Sequence, residues 1–312
     1  MRKKPTKENE MFQDYLFYGT DVETRYAFRM VHLTALTRHA QALHGLNAPR
    51  AEILGQGLLA GVLLASILED EERINLRIQA SGDFTLGIET TRHAVTRGYL
   101  ECNSESEIIG DIDAGGKPQL PWVIRSLRSK ANTNKLFEGI TGTETHLLET
   151  ALNEHLAASY QMKCKLKLDC WHNPTDNLLY AVGVIYLELP NLNSGTSSEL
   201  WSHVNALPPL RSIFGNAAHD PDLLAPRLIP HQVRAINSLN PTWGCSCSQE
   251  SVEHMLKQLG RRELLSLADE KKSAEIRCHY CNKFFSVEEP RLRELAAECQ
   301  PSVPSPDSSL IN

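Results

Sequence analysis

Apolar and polar positions change period several times along the chain. From Asp21 to His44 apolar residues recur three or four apart, at Val22, Tyr26, Met30, Leu33, Leu36, Ala40 and Leu43, which predicts an amphipathic helix closed by Gly45. Pro49, tolerated in a first turn, opens a second predicted helix that runs to Leu68 and is apolar on most faces, the mark of a buried element. From Glu72 the period falls to two. Ile74, Leu76 and Ile78 alternate with polar residues, and after Ser81-Gly82-Asp83 the alternation resumes at Phe84, Leu86 and Ile88, predicting a β-hairpin. Further strand-like pieces lie at Gly98 to Cys102 and Trp122 to Leu127, with breaks at Gly115-Gly116 and Asn132 to Asn134. Thr141-Gly142-Thr143-Glu144 has the form of a capping box, ahead of a helix with Leu148, Ala151, Leu152, His155 and Leu156 on its apolar face. Two strands follow, Lys163 to Trp171 and Leu178 to Leu189. This order predicts an α+β fold class, with a core domain of mixed sheet and helix over residues 1–190.

Seven of the sixteen prolines crowd between Pro190 and Gly244, too many breakers for a long regular element. Yet Leu200, Trp201, Val204, Leu210, Ile213, Phe214, Leu224 and Leu228 all favour burial. Residues 191–243 are therefore expected to be a metastable, mostly helical linker: short helices docked on another surface and held marginally. Residues 244–290 form a small module. Its helix is capped by Ser248, carries Val252, Met255, Leu256 and Leu259 on one face and stops at Gly260. Residues 291–312 are expected to be a tail, helix-like as far as Cys299 and then Pro/Ser-rich and disordered.

The 312 residues predict about two domains, with enough apolar sequence for a core, which excludes a disordered chain. A net charge of −6 offers no broad basic surface to a polyanion. Arg2, Lys3, Lys4 and Lys7 are followed by Glu8, Asn9 and Glu10 and not by an apolar run, unlike a secretory signal. The most apolar stretch, Leu54 to Leu68, is shorter than the ~20 residues a spanning helix needs. A cytoplasmic protein with no membrane partner is expected.

Cysteine spacing adds the chemistry. Four of the eight cysteines form two close pairs, Cys245-Ser246-Cys247 and Cys278-His279-Tyr280-Cys281, separated by 30 residues. Two pairs flanking a module too small for its own core match a tetrahedral four-cysteine zinc site, so Zn2+ is the expected cofactor and Cys245, Cys247, Cys278 and Cys281 its ligands. A zinc that only staples a mini-domain is one reading. The other is an oxidation-labile site, because Cys-x-Cys sets two thiolates side by side and thiolates are the species that peroxide attacks.

The module's residues, Cys245-Ser246-Cys247-Ser248, Leu259-Gly260, Glu263-Leu264, Ile276-Arg277-Cys278-His279-Tyr280-Cys281 and Phe284-Phe285, resemble the C-terminal part of the redox-regulated chaperone family heat-shock protein thirty-three. Asp14-Tyr15-Leu16-Phe17, Gly82-Asp83 with Leu86-Gly87, Arg97-Gly98-Tyr99 and Ser159-Tyr160-Gln161 extend the resemblance over most of the chain. Asp111 to Asn134 matches poorly, and Tyr160 stands where the family usually has Glu. The resemblance implies an ATP-independent holdase of the stress response, inactive when reduced and zinc-bound. Oxidised, it binds unfolding client proteins and prevents their aggregation. It also implies disulfides Cys245 with Cys247 and Cys278 with Cys281, and a homodimer on oxidation.

Other candidates weigh less. Cys164 and Cys170 share the parity of Leu166 and Leu168 and read as buried, inert thiols; Cys102 closes a strand, and Cys299 lies in an expected exposed helix. His254 and His279 are surplus to a complete tetrahedron. A zinc-ribbon interaction or nucleic-acid-binding protein with a structural zinc is the alternative, but seven basic and eight acidic residues between Gly244 and Pro290 leave the module near neutral, so no nucleic acid is expected. No Walker loop or dinucleotide fingerprint is present, and Cys278 to Cys281 lacks a βαβ setting, so no enzymatic activity is expected. Gly55, Gly57 and Gly61 read as a close helix-packing surface.

Overall fold

The first elements among the described residues are strands buried on both faces. The computed structural model describes residues 13–299 apart from 24, 81–83, 103–121, 131–132, 134, 146, 161–162, 176–177, 191–193, 216–219 and 272, and its contacts divide it into units 1–244 and 245–312. In the first unit β1 (Tyr15–Asp21) and β2 (Tyr26–His32) pair antiparallel, followed by α1 (Thr34–His44) and α2 (Ala48–Ala65). Next come β3 (Glu72–Ala80), β4 (Phe84–Thr91), β5 (Val95–Cys102), β6 (Val123–Lys130), β7 (Leu136–Gly142), α3 (Leu148–Ser159), β8 (Cys164–Asn173) and β9 (Leu178–Glu188). The unit ends with α4 (Ser194–Ala206), α5 (Leu210–Phe214), α6 (Pro221–Leu228), β10 (Val233–Leu239) and β11 (Thr242–Trp243).

Two sheets result, ordered β10-β1-β2-β9-β8 and β11-β5-β4-β3-β6-β7. Helix α2 packs against β2, β8 and β9 of one and β3, β4 and β5 of the other, which is why it is apolar on most faces. A Cβ on Gly61 would stand 2.5 Å from Ile88 Cγ2, so the helix backbone lies directly on β4 as the glycine run predicts. Gly87 faces Tyr99 across β4 and β5, and a Cβ there would sit 2.3 Å from the Tyr99 ring. The Leu86-Gly87 and Arg97-Gly98-Tyr99 pieces are thus one packing arrangement.

Several expectations need correction. The stretch from Asp21 to His44 is not one helix: Tyr26–His32 is a strand and the helix begins at Thr34. β1 and β2 are buried on both faces, so no alternation marks them. The cap of α1 comes from far upstream, where the Asp14 carboxylate accepts from Ala35 N (2.9 Å) and Leu36 N (2.7 Å). The expected capping box is not one, because Thr141 lies in β7 and α3 starts at Leu148 without a side-chain cap. A 13-residue α4 forms despite the prolines.

The stretch expected as a separate linker is built into the first unit. Helices α4 to α6 bury Leu200, Val204, Ile213, Phe214, Leu224 and Leu228 against Phe17, Phe28, Tyr180 and Tyr186 of the five-stranded sheet. β10 is that sheet's edge strand, and β11 pairs parallel with β5. The breaks at Ser81-Gly82-Asp83 and Gly115-Gly116, most of Asp111 to Asn134, the leader before Met11 and the Pro/Ser tail lie outside the described residues.

The second unit contains α7 (Gln249–Lys257), α8 (Arg261–Lys271), a β12 (Ser273–Arg277) and β13 (Phe284–Glu288) hairpin, and α9 (Glu289–Glu298). The boundary expected at residue 290 falls within α9, whose Leu292, Leu295 and Ala296 join Val252, Leu256, Leu264, Phe285 and Val287 in one small core.

Candidate metal centre

The second unit brings together two cysteine pairs separated by 30 residues of sequence. Cys245 and Cys247 lie just ahead of α7, whose first turn is fixed by the Ser248 hydroxyl accepting from Ser251 N at 3.1 Å. Gly260, at φ 85°, ends that helical stretch in a conformation that glycine adopts without strain and lets α8 follow. Cys278 and Cys281 lie in the turn between β12 and β13, beyond the last pair, Arg277 with Phe284. That turn is closed by Cys278 N donating to Lys283 O (2.9 Å) and Asn282 N donating to Cys278 O (2.8 Å). Asn282 takes φ 57°, which asparagine tolerates better than most residues. It is a site residue the sequence reading missed, although an Asn directly after Cys-x-x-Cys is a legible signal.

All four Sγ atoms lie within 4.8 Å of one another. Cys245 Sγ is 3.7 Å from Cys278 Sγ, and Cys247 Sγ is 3.3 Å from Cys281 Sγ. A tetrahedron of thiolates around an ion at ~2.3 Å has edges of about 3.8 Å, so the sulfurs fit a metal ion closely. His254 and His279 are not in the group.

The electrostatics favour a cation here. Burial pushes the Cys247 thiol up, and its three neighbouring thiols push it further. Burial also raises Cys278, against backbone amides of Cys281 and Tyr280 that favour its thiolate. Four adjacent thiolates repel one another until a positive ion compensates them.

The remaining cysteines stay apart from this centre. Cys170 is buried and its thiol is pushed well up by burial, while Cys164 is pushed up to about 11 for the same reason, which suits inert thiols. Cys102 ends β5 and is half-buried. Cys299 is half-buried too, its Sγ 3.3 Å from Leu295 O, and so is not the exposed thiol expected. Of the two phenylalanines after the knuckle only Phe285 packs inside; Phe284 is exposed.

A family model described as Hsp33 protein matches residues 14–288, spanning both units and all four clustered cysteines. The chain belongs to the Hsp33 family. As an Hsp33 protein it is a redox-regulated chaperone of α+β fold, which disfavours the zinc-ribbon alternative. Among curated relatives, the 33 kDa chaperonin of Shouchella clausii is 21% identical, the match covering 92% of this chain and 99% of that protein. The 33 kDa chaperonin of Acetivibrio thermocellus is 24% identical over 90% of this chain and 96% of its own. The crystal structure of the 33 kDa chaperonin from Thermotoga maritima superimposes with a TM-score of 0.76 at 21% identity, covering 92% of this chain and 98% of that one. No helix among the described residues is long and apolar enough to cross a membrane.

Proposed function

We propose that the chain is an ATP-independent holdase whose switch is Cys245, Cys247, Cys278 and Cys281. The observation that carries this reading is the convergence of four sulfurs within 4.8 Å in a unit with so small a core. Zinc suits the four-thiolate set best; when bound it keeps the sulfurs as thiolates and supplies folding free energy to the module.

Oxidation removes the ligands in pairs. A thiolate displaces hydroxide from hydrogen peroxide to give a sulfenic acid, and the second thiolate of the pair expels hydroxide from that sulfur, leaving a disulfide. Each pair thus passes two electrons to one peroxide. The family resemblance implies the pairs Cys245 with Cys247 and Cys278 with Cys281, and the one or two intervening residues are compatible with that pairing. The Sγ distances do not select partners, because any two corners of a tetrahedron share an edge.

Loss of the module's fold then exposes apolar surface, and undocking of α4 to α6 adds the aromatic face of the five-stranded sheet, where unfolding client proteins bind. A homodimer on oxidation, a cytoplasmic setting that keeps the thiols reduced, no nucleic-acid partner and no enzymatic activity complete the proposal.

The test compares light scattering by a thermally unfolding client with reduced, zinc-loaded protein and with peroxide-treated protein, following zinc with a chelating dye and mass by multi-angle scattering. Suppression only after oxidation, with zinc released in step, is expected. Equal scattering in both states with zinc retained overturns the switch.

A further inference from the structure

Away from the thiols, two arginines share one tyrosine. Tyr18 of β1 is buried. Arg29 of β2, its register partner, places Cζ 4.7 Å from the Tyr18 ring centroid, and Arg92, between β4 and β5, places its own at 5.5 Å. Arg92 Nη1 also donates to the Tyr18 hydroxyl at 2.7 Å. Arg29 Nη1 donates to Phe28 O at 3.0 Å and, more loosely, to Gly19 O at 3.5 Å, while its Nε is buried without a hydrogen-bond partner.

Elsewhere in this unit Arg25, Arg97, Arg128 and Arg211 each meet a carboxylate, on Asp21, Glu89, Glu72 and Asp169. Arg92 is a like charge beside Arg29, and among the described residues neither Arg29 nor Arg92 has a carboxylate partner. Burial, opposed by Tyr18 and reinforced by Arg92, pushes the Arg29 guanidinium down to about 10. A half-buried cation beside a like charge is costly unless an anion joins it.

We propose that Arg29, Arg92 and the Tyr18 hydroxyl form an oxyanion site for a phosphate group, either inorganic phosphate or the phosphate of a monoester. Two positive charges match a phosphate dianion. The Nη2 donors of the two guanidinium forks, with the Tyr18 hydroxyl, outnumber the two oxygens of a carboxylate and suit a tetrahedral oxyanion. The site is independent of the thiol switch and of the holdase reading.

The experiment uses the full-length, reduced, zinc-loaded protein. Inorganic phosphate and, separately, adenosine monophosphate are titrated at ionic strength held constant with chloride, following Tm and the 31P line width. A Tm rise of about 3 °C at saturating ligand with 31P broadening is expected, both lost in Arg92→Gln and reduced in Arg92→Lys, which keeps charge without the fork. A response to phosphate alone assigns the free ion; a stronger response to the monophosphate assigns an ester. Arg29→Gln should behave as Arg92→Gln does, and if it fails to fold, the half-exposed Arg92 decides alone. A Tm no different from chloride controls, or a shift retained in Arg92→Gln, overturns the site.

Discussion

Arg211→Ala asks whether identifiable contacts hold the proline-rich segment on the five-stranded sheet. Arg211, at the start of α5, holds Asp169 of β8 through Nη2 to Oδ1 at 2.6 Å, Nε to both carboxylate oxygens at 3.1 Å, and its backbone N–H to Oδ2 at 2.8 Å. Asp169 is 6% exposed, whereas the Arg211 side chain is 52% exposed. The substitution leaves a buried carboxylate with one of these donors, the backbone amide. A charge-assisted hydrogen bond is worth about 1.5–3 kcal/mol, and screening around a half-exposed guanidinium lowers the whole contact to about 1–2 kcal/mol. That loss multiplies the undocked population about 5- to 30-fold, while the apolar contacts of Leu200, Phe214 and Leu228 keep most molecules docked. Hydrogen exchange on the reduced protein should show α4 to α6 losing protection by this factor, with β2 and β9 unchanged. The reduced variant should also suppress some client aggregation, and Arg211→Lys should fall between variant and parent. Unchanged exchange in α4 to α6, or an equal loss throughout the first unit, would refute the reasoning.

Cys278→Ser should abolish stoichiometric zinc and collapse the NMR dispersion of residues 245–299, since metal binding to such a site is worth about 10–16 kcal/mol; a folded module with full zinc would contradict the ligand set. Gly61→Ala should cost about 1–3 kcal/mol in urea unfolding, because its Cβ would meet Ile88 Cγ2 at 2.5 Å and Thr90 Oγ1 at 2.9 Å; an unchanged midpoint would count against this packing. His155, buried between Ser126 and Thr141 hydroxyls at 2.8 and 2.9 Å, is held by burial below the ordinary histidine value of 6.5. The unfolded chain therefore takes up the proton first, so His155 contributes stability above pH 6.5 that is lost as pH falls through that value and below. Denaturant titrations should show a slope of up to about 1.4 kcal/mol per pH unit there, flattened in His155→Gln; an identical slope in both would exclude His155 as its source.

The elements legible in the sequence are those whose causes lie within a few residues. Ser248 caps α7 through Ser251 N, Gly260 at φ 85° ends it, alternation marks β3 and β4, and α2 shows its central place by being apolar on most faces. The gathering of the four cysteines was equally legible, because it needs only two short knuckles and a chain able to return. Tertiary structure decided the rest. β1 and β2 carry no alternation because both faces are covered, and α1 begins where Asp14, 21 residues before Ala35, supplies its cap. The proline-rich segment is well packed only because an aromatic sheet face receives it. Arg29 and Arg92 meet at Tyr18 because strand register and a turn bring them there, a long-range pairing that no local pattern encodes.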